Sequence, residues 1–166
     1  MGFGAPVTSY NQFNDNTPTQ VGAIPKDIGR VKRTKDGVVY FDGLKQVDDP
    51  TIVTLTNLQA LNQISRLKAI TDSSGKMIMV NPTPGFLGSM SQTILEGPGT
   101  FVLNMNLIKR IRFPESRELM LRADAVNLLN RPIFGFPDTN INSTTFGRIT
   151  TATGSRVVLL NARVDF

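Results

Sequence analysis

The sequence predicts a mainly β fold, in which long antiparallel amphipathic strands form a barrel-type sheet with long loops and one short helix. Apolar and polar residues alternate over long segments after residue 99, which is typical of strands with two different faces. The 14 Gly and 10 Pro residues indicate many turns and loops. No segment has the roughly 18 consecutive apolar residues of a transmembrane helix, so strands would make any membrane crossing.

The composition excludes several kinds of catalytic centre. The chain has no His and no Cys, which excludes Cys/His zinc sites, thiol nucleophiles and Ser-His-Asp triads. Asp48 and Asp49 are adjacent carboxylates, and we expect both to be solvated in a loop. We therefore predict that the protein is not an enzyme and has no catalytic residue, cofactor or metal. The net charge of +5 is scattered, and no ladder of aromatic residues accompanies Lys109 and Arg110, so no nucleic-acid partner is predicted.

Residues 1–99 are predicted to be a loop-rich region with a small hairpin and a short helix. Asp36-Gly37 separates two short β-prone runs and therefore indicates the hairpin. Apolar residues spaced by three predict a helix from Thr56 or Asn57 to Leu67. After the helix, KMIMV (76–80) predicts a short strand, whereas the Pro and Gly residues of NPTPGFLGSM (81–90) predict irregular structure.

Residues 100–166 are predicted to contain three antiparallel barrel strands. The first, TFVLNMNLIKRIRF (100–113), would be 14 residues long, whereas strands of soluble proteins usually have about five or six. A transmembrane strand needs about nine to eleven. One face of this strand carries Phe101, Leu103, Met105 and Leu107, and the other carries Asn104, Asn106, Arg110 and Arg112.

The second and third strands follow the same alternation. A turn at 114–116 leads into RELMLRADAVN, and pairing Phe113 with Arg117 brings Leu119 and Leu121 to the apolar side. The same register places Arg112 opposite Glu118 as a favourable charge pair. On the polar side this strand adds Arg122 and Asp124. The last strand, in SRVVLLNARVDF, has Val158, Leu160, Ala162, Val164 and Phe166 on one face.

Two environments are compatible with this alternation. In a soluble sheet the apolar face covers a core, whereas in a membrane barrel it faces lipid and the polar residues line the lumen. Connection lengths favour the barrel, because outer-membrane strands alternate short periplasmic turns with long outer loops. Here the 114–116 turn is short, while the 128–154 connection and the region before 100 are long. We therefore predict that the polar set faces the lumen and the apolar set faces lipid or a partner, with Lys109 at the periplasmic rim.

Most of the chain resembles the carboxy-terminal part of TonB-dependent receptors with an Oar-like outer-membrane β-barrel, of the acidobacterial type. The matching segments include GAIPKDIGRVKRTKDGVVYFDGL, NPTPGFLG, EGPGTFVLNMNLIKRIRF, LRADAVNLLNRPIFGFPDTNIN and ARVDF. The resemblance implies barrel wall and surface loop in nutrient uptake, with residues 1–99 similar to an extracellular loop. It also implies that the barrel-assembly machinery reads Val158, Leu160, Ala162, Val164 and Phe166 as a terminal signal. The expected location is the bacterial outer membrane or cell surface.

Three strands cannot close a barrel, for which about eight is the minimum. The chain would therefore pair with the remaining strands of a longer chain, as a fragment of a receptor. Alternatively, copies of the chain could pair through their strand edges and form an extracellular β-rich filament. A soluble carbohydrate-binding β-domain is a second alternative.

Overall fold

The computed structural model describes residues 1–5, 16–26, 28–51 and 66–166. Within these ranges the secondary structure is almost entirely β, which confirms the predicted fold class, and no sheet closes on itself. The strands are β1 (Thr19–Gln20), β2 (Lys32–Thr34), β3 (Gly37–Val39), β4 (Lys45–Asp48), β5 (Lys68–Thr71), β6 (Met77–Val80), β7 (Met105–Arg112), β8 (Glu118–Val126), β9 (Ile133–Phe134), β10 (Arg148–Ile149), β11 (Ala152–Thr153) and β12 (Val157–Asp165). In the same ranges, no helix has the length and apolar character needed to cross a bilayer.

The chain divides into two units. Residues 1–98 and 136–150 form the first unit, and residues 99–135 and 151–166 form the second. The first unit contains a four-stranded sheet with the order β1-β6-β5-β4 and a three-stranded sheet with the order β10-β3-β2. The second unit contains the sheet β12-β8-β7 and the small pair β11-β9.

The first unit has its own apolar core. The rings of Phe3, Phe41 and Phe146 lie in mutual contact, with centroids 5.0 to 5.9 Å apart. Ile70 and Met79 face each other across β5 and β6 and are fully buried. The strands of this unit are only two to four residues long, and burial of these aromatic and aliphatic side chains stabilises the unit.

Several local predictions for this unit are confirmed. The hairpin forms between β2 and β3, with Thr34 opposite Gly37 across a turn at Lys35-Asp36. Strand β6 occupies the KMIMV segment, and residues 81–90 contain no strand. Most of the predicted helix lies outside the described residues. Leu67, its last predicted residue, is buried in the coil just before β5.

The predicted hairpin of the second unit is confirmed in its register. Strands β7 and β8 pair antiparallel, Arg112 lies opposite Glu118, and the Phe113 N–H donates to the Arg117 carbonyl at 2.8 Å. Strand β12 pairs antiparallel with the other edge of β8 over nine residue pairs, from Val157↔Val126 to Asp165↔Glu118. The three strands therefore form one continuous sheet with β8 in the centre.

The predicted length of the first strand is wrong. Strand β7 begins at Met105 and not at Thr100, so it has eight residues. Its neighbour β8 ends at Val126, where Asn127 takes a left-handed backbone conformation with φ 52°. Because the chain turns there, residues 100–104 have no regular ladder partner and remain outside the strand.

Candidate functional site

The β12-β8-β7 sheet, which we call the two-faced sheet, separates apolar from polar side chains. Residues that are directly opposite in an antiparallel pair lie on the same face. Its apolar face comprises Met105, Leu107, Lys109, Ile111, Leu119, Leu121, Ala123, Ala125, Val158, Leu160, Ala162 and Val164. Its polar face comprises Asn106, Ile108, Arg110, Arg112, Glu118, Met120, Arg122, Asp124, Val126, Val157, Leu159, Asn161, Arg163 and Asp165. The predicted site residues within the strands thus fall on the two faces that their parity indicated.

The apolar face is not covered by the second unit. Leu107 is 60% exposed, and Leu160, two strands away in the same row, is 81% exposed. Phe166 follows β12 and is 94% exposed. Side chains of this size are usually buried in soluble proteins, and an extended exposed apolar patch indicates a partner or a membrane.

The polar face carries a network of paired charges. Arg122 donates from Nε and Nη2 to the two carboxylate oxygens of Asp124, at 2.7 and 3.0 Å, and Asn106 donates to the same carboxylate from β7. Glu118 lies near Arg110 Nε at 3.7 Å and Arg112 Nε at 3.5 Å. Because each charge on this face has an opposite neighbour, the face is strongly polar but nearly balanced.

Arg163 completes the network on β12. Its Nε donates to Asp165 Oδ1 at 2.7 Å. Every arginine in β7, β8 and β12 therefore has a carboxylate partner. Exposed ion pairs of this kind contribute little to stability. They do present hydrogen-bond donors and acceptors to water or to a polar ligand.

Asn127 organises the end of the two-faced sheet and was not singled out by the sequence. It is 2% exposed, its N–H donates to Asn104 Oδ1 at 2.9 Å, and its side chain both donates to the Arg131 carbonyl and accepts from the Arg131 N–H. Its Nδ2 also donates to the Gly154 carbonyl. Asn tolerates left-handed φ better than other non-Gly residues, which is the one local signal that could have identified it.

Three predicted site residues lie before β7, where this arrangement holds them. The Asn104 side chain accepts from Asn127, and the Leu103 carbonyl accepts from the Leu128 N–H at 2.8 Å. The Phe101 ring contacts the Arg131 guanidinium, 5.5 Å from the ring centroid. These residues therefore pack at the end of the sheet and do not extend its regular alternation.

Among the described residues, the outer edges of β7 and β12 have backbone groups that no other strand uses. The 113–117 pair is hydrogen-bonded, and such pairs alternate along an antiparallel ladder. The backbone N–H groups of residues 106, 108, 110 and 112 therefore point away from β8. In the part of the chain that the structure describes, no strand pairs with the outer edge of β7 or of β12. These edges are templates for further strands.

The expectation that Asp48 and Asp49 are both solvated is wrong for Asp49. Asp48 is exposed and pairs with Lys68 at 2.6 Å, but Asp49 is 3% exposed. Asp49 Oδ1 accepts from the Thr51 N–H and hydroxyl, at 2.9 and 2.6 Å. Asp49 Oδ2 accepts from the Asn81 N–H and side chain, at 2.7 and 2.9 Å. The carboxylate therefore ties a loop to the segment after β6 and has a structural role.

Comparison with known proteins finds a matching family model. The family model for an outer membrane beta barrel domain matches residues 3–159, which is nearly the whole chain. No curated protein matches the chain, and no solved structure matches it either. Among the described residues, no group of three or more acidic side chains could hold a metal ion.

Proposed function

Because the chain belongs to the outer membrane beta barrel domain family, we propose that its two-faced sheet is part of a barrel wall. Membership of that family supports a location in the outer membrane. In this proposal the apolar face contacts lipid and the polar face lines the lumen. The observation that carries the proposal is the exposure of both faces, because Leu107 and Leu160 are solvent-accessible on one side while paired charges occupy the other.

The dimensions of the sheet support this assignment. Strands β8 and β12 have nine residues each, which at ~3.4 Å per residue gives roughly 31 Å. At the usual tilt of roughly 40° such a strand spans about 24 Å along the membrane normal, close to the ~25 Å apolar band of outer-membrane barrels. Strands β8 and β12 are therefore long enough to cross the hydrocarbon layer.

The connections also fit a barrel. The turn at 114–116 lies at one end of the two-faced sheet. The start of β7, the end of β8 and the start of β12 all lie at the opposite end. The connection between β8 and β12 runs from 127 to 156 and leaves the sheet at that opposite end. Short turns on the periplasmic side and long connections outside are typical of these barrels.

Tryptophan scanning along β8 tests the wall assignment. The chain contains no Trp, so single substitutions at residues 119 to 124 each create a unique fluorophore. In outer-membrane vesicles containing brominated lipids, we expect quenching for Leu119→Trp, Leu121→Trp and Ala123→Trp, and little for Met120→Trp, Arg122→Trp and Asp124→Trp. Uniform quenching, or none at any position, would contradict the proposal and favour a filament or a soluble sheet.

We further propose that the complete barrel is a TonB-dependent-receptor-like importer of a scarce nutrient, to which this chain contributes wall and surface loop. The resemblance of NPTPGFLG, EGPGTFVLNMNLIKRIRF and ARVDF to that class supports the proposal, and the polar face supplies groups that suit a watery passage. Deleting the gene should reduce accumulation of a labelled siderophore, cobalamin or glycan as strongly as deleting TonB. Uptake of all three that is independent of this chain would contradict the transport role.

The proposal includes partners at both edges. Further barrel strands, from a longer chain or from other copies, would pair with β7 and β12, and the barrel-assembly machinery would recognise the apolar residues of β12 together with Phe166. Phe166→Ser should then lower the amount of assembled protein in the outer membrane, whereas Phe136→Ser, at an exposed phenylalanine outside the sheet, should not. Equal assembly of the two variants would contradict this recognition.

A further inference from the structure

One cation on the two-faced sheet lacks an acidic partner. The arginines of β7, β8 and β12 are paired with carboxylates on the polar face. Lys109 lies on the apolar face, and among the described residues no carboxylate forms an ion pair with it. It is the one charged residue in the four rows of that face, from the Met105 row to the Ile111 row.

The surroundings of Lys109 form a shallow apolar hollow. Its lining includes Leu107, Lys109, Leu121, Ala123, Leu160 and Ala162 from the apolar face, together with Arg122 and Asn161 from the intervening positions of β8 and β12. Leu121 and Ala162 lie directly across from Lys109 on the neighbouring strands. Because Ala123 and Ala162 have small side chains beside large leucines, the face is indented there and can receive a flexible apolar chain.

The distance of Lys109 from the turn end determines how far its ammonium group must extend to reach the membrane interface. Lys109 lies four positions before Phe113 at the turn end, about 14 Å along the strand and about 10 Å along the membrane normal at the usual tilt. Lys109 is the fifth of the eight residues of β7. A lysine on a lipid-facing surface is destabilising unless its side chain extends to the interface and meets an anion there.

We propose that this hollow binds an anionic glycerophospholipid, with an acyl chain against Ala123 and Ala162 and the headgroup phosphate on Lys109. The proposal rests on the wall assignment above. The apolar lining suits the acyl chain of the lipid, and the Lys109 ammonium suits its negatively charged headgroup. The turn end would lie at the phospholipid leaflet on the periplasmic side, so the Lys109 side chain would extend toward that end to meet the headgroup.

Lipid analysis of the natively extracted protein tests this proposal. The full chain is released from outer membranes in mild detergent with its barrel partners, and the co-purifying phospholipids are quantified. We expect phosphatidylglycerol to be enriched about fivefold over the bulk membrane, which corresponds to ~1 kcal/mol for one lysine at an anionic lipid surface. Lys109→Gln should abolish the enrichment, and Ala162→Phe, which fills the hollow, should reduce the total bound phospholipid.

Two controls separate the possible failures. Lys45→Gln removes an exposed lysine from β4 in the first unit and should leave the enrichment unchanged. Leu121→Trp should be quenched by brominated lipids if the face contacts lipid at all. Quenching together with an enrichment that survives Lys109→Gln, or with a preference for lipopolysaccharide, would overturn the lipid site alone. Absence of quenching would overturn the wall assignment and the lipid site with it.

Discussion

At the residue scale, Asp48 and Asp49 are sequence neighbours in opposite environments. Asp49 accepts four hydrogen bonds while buried, whereas Asp48 is exposed beside Lys68. Asp49→Asn should lower the free energy of unfolding by about 2 to 3 kcal/mol, because hydrogen bonds to a buried charged group are lost and a donor then faces the Asn81 N–H. Asp48→Asn is the matched control, with an expected loss of about 0.5 kcal/mol. Urea titration of the two variants checks this, and equal losses would contradict the structural role.

Asp138 provides a pH prediction in the first unit. Partial burial raises the pKa of its carboxyl, but hydrogen bonds from Ser143, from the Thr145 hydroxyl at 2.6 Å and from the Asn140 N–H at 3.0 Å outweigh burial, so the pKa lies below its ordinary value. The unfolded state therefore takes up a proton first as pH falls. The stabilisation from Asp138 is complete above the ordinary carboxyl pKa of about 4 and is lost as pH falls through the lower folded-state pKa.

Removing one donor should weaken this dependence. Thr145→Val should move the Asp138 pKa toward its ordinary value and flatten the fall in the free energy of unfolding below about pH 4. Thr144→Val is the control, since Thr144 is exposed and should leave the profile unchanged. Urea unfolding at a series of pH values between about 5 and 2 measures both, and identical profiles for wild type and Thr145→Val would contradict the assignment.

At the element scale, the β7-β8 hairpin turns through two unfavourable residues. Glu115 and Ser116 have φ values of 66° and 61°, a left-handed conformation that costs most residues roughly 1 to 2 kcal/mol. Glu115→Asn combined with Ser116→Gly introduces residues suited to such turns. We expect this double variant to raise the free energy of unfolding by about 1 kcal/mol, measured as a higher urea midpoint in lipid vesicles.

The control for the turn separates backbone from charge. Glu115 also pairs with Arg117 at 3.0 Å on the surface. Glu115→Ala removes this pair but leaves the backbone unfavourable, so it should not be stabilising. A higher urea midpoint for Glu115→Ala, or an unchanged midpoint for the double variant, would show that the left-handed backbone conformation does not lower the stability of this turn.

Local sequence signals predicted the hairpin register but not its far end. The parity of apolar residues and the Arg112–Glu118 pair fix the register next to the turn, because a one-residue slip would exchange the faces. The start of β7 depends instead on Asn127, which turns the chain after β8 and binds Asn104 by its side chain. A strand boundary set by a residue 23 positions away cannot be read from alternation alone.

At the scale of the whole molecule, the outer edge of β7 should be required for assembly. The Ile108 N–H points to this edge, whereas the Leu107 N–H points to Ala123 on β8. Ile108→Pro should block addition of a strand and lower the amount of heat-resistant assembled protein several-fold, because Pro cannot donate to a ladder. The hairpin itself should persist, and slow hydrogen exchange of the Leu107 amide reports this.

Leu107→Pro serves as the comparison for the edge variant. It removes a donor inside the hairpin, so both the hairpin and assembly should be lost. If Ile108→Pro assembles like the wild type, no strand pairs with the edge of β7, and neither a barrel wall nor a filament fits. The two adjacent positions thus distinguish internal pairing from external pairing.

Long-range packing accounts for what the sequence did not predict at this scale. Residues 136–150 follow β8 in sequence but belong to the first unit, where Ile141 is fully buried. Likewise, the Asp49 carboxylate can be buried because Asn81, 32 residues away, donates two hydrogen bonds to it. Alternation and turn chemistry indicate local elements, but neither specifies which distant segments meet.

The unequal connections of the two-faced sheet imply an order of folding. Five residues (113–117) join β7 to β8, whereas the 30-residue connection 127–156 must be closed before β12 can pair with β8. Closing a loop about six times longer costs roughly 1.5 kcal/mol more in chain entropy, so the hairpin should form first and β12 should join it later. During that delay β12 is still unpaired along both of its edges, and it is the strand of this sheet that another protein has the longest opportunity to capture.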